Sequence, residues 1–92
     1  MDYAELGRRI RSMRRTRHMT QTDLARSAGI SAPFLGHIER GSRIASLETL
    51  VQLCNALKTD ANTLLAFDLK YLPENSLTEI LQKALALAAR EK

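Results

Sequence analysis

Residues 19–41 read MTQTDLARSAGISAPFLGHIERG, and their spacing marks out two short helices in succession. Thr20 is a good N-cap, because its hydroxyl can accept from backbone N–H groups that a helix start leaves without partners. Asp23 falls at N3, where an acid also suits the positive end of the helix dipole. Met19 at N′ can staple to Leu24 at N4. Gly29 ends this helix, as expected of a C′ glycine. A second helix starts almost at once. Ser31 caps it, Ile30 and Leu35 form its staple, and Pro33 sits in the first turn, where a missing N–H costs little. Gly41 closes it. Leu24, Ala25 and Ala28 face inward from the first helix of the pair, and Leu35 and Ile38 from the second. Ala25 is small where the two helices cross closely.

Outward from this pair, the apolar spacing stays helical and a period of two is absent over any useful length. A first helix is predicted from about Asp2 to Arg17. Tyr3, Leu6, Ile10 and Met13 form its apolar stripe, and Arg8, Arg9, Arg11, Arg14 and Arg15 occupy much of the rest. Ser46 caps a fourth helix with Leu47, Leu50, Leu53, Cys54 and Leu57 inward. Asp60 caps a short fifth helix carrying Leu64 and Leu65, with Phe67 at its margin. Residues 71–75 read as a connection, and Ser76-Leu77-Thr78-Glu79 matches a capping box that opens a last helix, 76 to about 90. The fold class is therefore all-α, with a bundle over residues 1–70 and a C-terminal amphipathic helix in 76–92.

Composition narrows the function. Ninety-two residues fit one domain, and 45% apolar with 26% charged residues is an ordinary globular balance. The chain lacks an apolar run long enough to span a membrane and the apolar segment of a secretory signal. A lone Cys54 supports neither an internal disulfide nor a zinc site. These features point to the cytoplasm, with no metal and no cofactor. No catalytic residues are expected: His18 and His37 lie in different elements, no acid pair is tied to an apolar pocket, no glycine-rich phosphate loop exists, and Cys54 lies on an inward stripe as a small core residue. Charge is more informative. Residues 1–43 carry nine arginines against four acids, 9 − 4 = +5, whereas residues 44–92 carry five cations against six acids, 5 − 6 = −1. Such asymmetry suggests a polyanion partner.

Two short helices joined by about three residues containing glycine form a helix-turn-helix. The segment Met19–Leu57 resembles the Xre/Cro family of bacterial and phage regulators, which carry the lambda-repressor-like DNA-binding domain. The telling pieces are TQTDLA (20–25), AGIS (28–31), IERG (38–41) and SLETL (46–50). The resemblance covers about residues 4–68. It implies five packed helices, the third lying in the major groove of double-stranded DNA, and a dimer on a near-palindromic operator. The function it implies is that of a sequence-specific transcriptional regulator, chiefly a repressor.

A recognition helix presents its N-terminal residues to base edges. The candidates for base contact are Ser31, Ala32, Pro33, Gly36 and His37, of which only His37 can make long-reach hydrogen bonds. Ala32 and Pro33 could touch a thymine methyl. Phosphate candidates are Gln21, which matches a family glutamine, together with Arg40, Ser42 and Arg43. Phe34 has two open readings, the sugar-phosphate edge or packing on the preceding helix. Arg14 and Glu39 match a family salt bridge that positions the recognition helix, with Arg14 also within range of a phosphate role. Many family members carry Arg, Gln, Ser or Thr where this chain has Ala32, Pro33 and Gly36. Direct base readout should therefore be thin and lean on DNA shape.

In the last helix, Leu77, Ile80, Leu81, Ala84, Leu85, Leu87 and Ala88 make an apolar face broader than one packing contact needs. A homodimer interface is the favoured reading, against simple covering of the chain's own bundle. The alternative function is an antitoxin-like module that binds a protein partner through this helix. RNA is a weaker option, since Tyr3, Phe34, Phe67 and Tyr71 are scattered and form no stacking platform.

Overall fold

The computed structural model describes residues 1–70 and 77–90. Its elements are all helices: α1 (Tyr3–Thr16), α2 (Gln21–Ala28), α3 (Ala32–Arg40), α4 (Leu47–Leu57), α5 (Ala61–Leu65) and α6 (Leu77–Arg90). The 71–75 connection and the Ser76 cap lie outside the described residues, as do the side chains of Leu77 and Ile80.

Each of the first five helices starts on a side-chain oxygen that accepts from the backbone N–H three residues on. The caps are Asp2, Thr20, Ser31, Ser46 and Asp60. Asp2 is thus the cap of α1 and not its first turn, and Arg17 is its C-cap, so the helix is shorter at both ends than the apolar spacing suggested. Gly29 (φ 72°) and Gly41 (φ 77°) end α2 and α3 in the left-handed region that glycine enters without a Cβ penalty. The next N–H then turns back, from Ile30 to the Ala25 carbonyl at 3.0 Å and from Ser42 to the His37 carbonyl at 2.9 Å.

The core is aliphatic. Ile10, Leu24, Leu35, Leu53, Leu57 and Leu64 are fully buried, with Leu6, Ala25, Ala28, Ile38 and Cys54 around them. Each fully buried aliphatic side chain stabilises the fold by about 1.5–3 kcal/mol. Two expected inward positions are corrected. Tyr3 is exposed, because it opens α1 at the bundle's edge. Leu47 is 78% exposed, because it lies on the first turn of α4 and about 80° around the helix from Leu57. Ile44 and Val51 are exposed near it.

The backbones of α1 and α3 approach closely at two glycines. A Cβ on Gly7 would collide with the carbonyl oxygens of Ile38 and Glu39, and one on Gly41 would stand 2.7 Å from the Ala4 Cα. Both positions need hydrogen for a side chain. The last turn of α3 is thereby pressed onto the N-terminal half of α1, which leaves the first turn of α3 as its outward end.

Candidate nucleic-acid interface

The outward end of α3 begins at Ser31, whose Oγ accepts the Phe34 N–H at 3.2 Å. That bond uses the oxygen as acceptor and leaves the hydroxyl proton for another group. Ser31 and Pro33 are exposed, and Ala32 and His37 are half-buried. The His37 Nδ1 lies 3.0 Å from Ser42 Oγ, and Ser42 Oγ donates to the His37 carbonyl at 3.2 Å. The imidazole is therefore anchored to the loop after α3, and its Nε2 edge is the one left for a base.

Gly36 does not sit where the sequence suggested. It is buried, because Arg40, one turn on, folds its guanidinium over it, with Nη1 3.2 Å from the place of a Cβ. The missing side chain makes the room for that fold-back. Phe34 is half-buried and packs against the core, which favours the packing reading over the sugar-phosphate edge. Arg40, Ser42 and Arg43 are exposed together at the end of α3 and in the loop beyond.

Behind this surface lies a buried polar cluster. Arg14 donates from Nε to Glu39 Oε2 at 2.8 Å and from Nη2 to Oε1 at 3.1 Å, a bidentate pair. Its Nη1 donates to the Met19 carbonyl at 2.9 Å. Gln21, placed by resemblance on a phosphate, donates from Nε2 to Glu39 Oε1 at 3.1 Å. One amide proton of Gln21 is thus committed inside and one remains. The cluster ties α1, the start of α2 and the end of α3 to a single carboxylate. Sequence reasoning missed the Gln21–Glu39 bond, the cover over Gly36 and the part of Gly7. Only Gly7 left a signal: it lies seven residues from Arg14, hence on the same face of α1.

Local electrostatics follow the caps. The Thr20 N–H donates to Asp23 Oδ2 at 2.9 Å, completing a capping box, and hydrogen bonds from Thr20 hold the Asp23 carboxyl below its ordinary range. Burial pushes the Cys54 thiol up, away from the reactive thiolate. Among the described residues, no cluster of His, Cys, Asp and Glu could hold a metal, and no helix is long and apolar enough to cross a membrane.

Comparison with known proteins decides the family, since the helix-turn-helix domain family matches residues 5–67. The chain belongs to that helix-turn-helix family. Its Xre/Cro character stands with this membership. An HTH-type transcriptional regulator of Mycobacterium tuberculosis is 42% identical over 55 residues, 60% of this chain but only 39% of that relative. The helix-turn-helix chain thus spans about two fifths of the length of that relative. Among solved structures, the restriction-modification controller protein C.AhdI of Aeromonas hydrophila superposes with a TM-score of 0.67 at 32% identity, over 68% of this chain and 96% of that one. The clp gene regulator ClgR of Corynebacterium glutamicum gives a TM-score of 0.69 at 29% identity, over 98% of this chain and 88% of that one.

Proposed function

We propose that this helix-turn-helix protein is a sequence-specific double-stranded DNA-binding transcriptional regulator, a repressor that grips a near-palindromic operator as a dimer. One observation carries the reading: the first turn of α3 points outward, with Ser31 and Pro33 exposed and Ala32 and His37 partly so, next to the exposed cations of Arg40 and Arg43. A helix of this kind fits the major groove. Base edges fall to His37 and Ser31, with methyl contacts from Ala32 and Pro33. Phosphates fall to Arg43, Ser42, an unfolded-back Arg40 and the remaining amide proton of Gln21. The role is binding without a catalytic step, exercised where chromosomal DNA lies, in the cytoplasm.

The exposed apolar positions Leu81, Ala84, Leu85 and Ala88 of α6 support a homodimer, whose two recognition helices would sit about 34 Å apart, one turn of DNA. The same face favours one second reading, an antitoxin-like partner-binding module. Selection from random-sequence duplexes tests the proposal. The expected product is a motif with two half-sites one turn apart; enrichment of no motif would refute it.

A further inference from the structure

The first helix carries more positive charge than this interface uses. Arg8, Arg11 and Arg15 are exposed and, with Ser12 and Thr16, line a shallow groove of about 400 Å3. At about 100° per residue the three arginines fall within about 60° of one another around α1 and span about 10 Å along it. Ala4 lies in the same sector, and Ala4 is the residue on which the Gly41 turn rests. The N-terminal end of this sector therefore meets the turn that precedes Ser42 and Arg43. At its other end, Arg15 follows Arg14, whose carboxylate partner Glu39 is also bonded by Gln21. One end of the stripe thus leads toward Ser42 and Arg43, and the other follows directly on Arg14 in sequence. Among the described residues Arg8 pairs with Glu5 at 2.6 Å and Arg9 with the same carboxylate at 3.3 Å, whereas neither Arg11 nor Arg15 has an acidic partner.

We propose that Arg11 and Arg15 form a further phosphate-binding site that extends the grip on the DNA backbone from the α2–α3 unit onto α1. The inference rests on the DNA-binding reading above. A guanidinium matches a phosphate in geometry as well as charge, and like charges lined along one helix face repel until an anion neutralises them.

Fluorescence anisotropy on the full chain across a salt series tests it, with one random-sequence duplex and one duplex carrying the selected motif. Arg11→Gln/Arg15→Gln should make log K against log salt shallower by about two units, near 0.9 per phosphate lost. The loss should be equal on both duplexes, with base preference intact. Arg11→Lys/Arg15→Lys should keep the wild-type slope, which separates loss of charge from loss of structure. Arg26→Gln, removing an exposed charge from α2, should leave the slope unchanged. An unchanged slope in the double glutamine variant, with duplex binding retained, would overturn the proposal and leave the stripe to an acidic protein segment. Failure of the wild type to bind any duplex would instead overturn the DNA-binding reading.

Discussion

Glu39 shows what a single residue does here. Its carboxylate is nearly inaccessible, with 2% of the side chain exposed, and takes three side-chain hydrogen bonds from Arg14 and Gln21. A buried pair of this kind adds little net stability over apolar packing, but breaking one half leaves an uncompensated charge. Glu39→Gln should therefore cost about 3 kcal/mol in urea unfolding, while Arg14→Met/Glu39→Leu should recover most of that loss. A loss in the double variant equal to the sum of the Arg14→Met and Glu39→Leu losses would mean that the pair is not coupled. Gly7 is the steric counterpart. Gly7→Ala must push α1 away from the Ile38 and Glu39 carbonyls, at a cost of about 1–3 kcal/mol. The pair was readable from the sequence only through resemblance, because nothing in a chain's spacing shows which acid meets an arginine 25 residues away. Gly36 departs from the expectation for a related reason. An exposed helix position on paper becomes a buried one when a long side chain four residues on lies down over it.

Elements were far more legible. Helix starts follow local chemistry, and the caps Thr20, Ser31, Ser46 and Asp60 were all identifiable from residue type and the apolar run that follows. Their charge state gives a prediction. Backbone and side-chain hydrogen bonds from Thr63 hold Asp60 below its ordinary value of 3.8, and Asp23 is lowered in the same way by Thr20. For a carboxylate lowered on folding, the stabilisation is complete above the unfolded value and is lost as pH falls through the folded one. Melting temperature should thus be flat near neutrality and drop below about pH 4, and Asp23→Asn/Asp60→Asn should flatten that acid limb. An unaltered limb would show that other groups set it. Tertiary placement was less legible than helix starts. Leu47 has the right type for a core stripe, but among the described residues no element covers it on the first turn of α4.

The whole molecule is longer than its chain length calls for. Its radius of gyration is 15.7 Å and its extents are 54 × 27 × 19 Å, against about 12 Å for a compact domain of this size. An α6 whose Leu81, Leu85 and Leu87 are exposed belongs to that elongation. If α6 is the dimer face, Leu81→Glu/Leu85→Glu should give a monomer in analytical ultracentrifugation, and Leu47→Glu should leave the dimer intact. The reverse pattern would move the interface to the exposed Ile44, Leu47 and Val51. The amphipathic pattern of α6 was plain in the sequence, but what covers it was not, because periodicity gives a face and never its partner. The charge asymmetry belongs to the same scale: it indicated a polyanion without showing which arginines meet it.

On this reading the leading end of α3 receives a DNA duplex. The decisive experiment follows backbone amide chemical shifts of the labelled chain while the selected duplex is added at moderate salt. The largest shifts should fall on the amides of Ser31 to His37 (Pro33, without an N–H, aside), with smaller ones at Gln21, Ser42 and Arg43. Shifts confined to α6, or spread evenly over the basic surface without a maximum on α3, would contradict it.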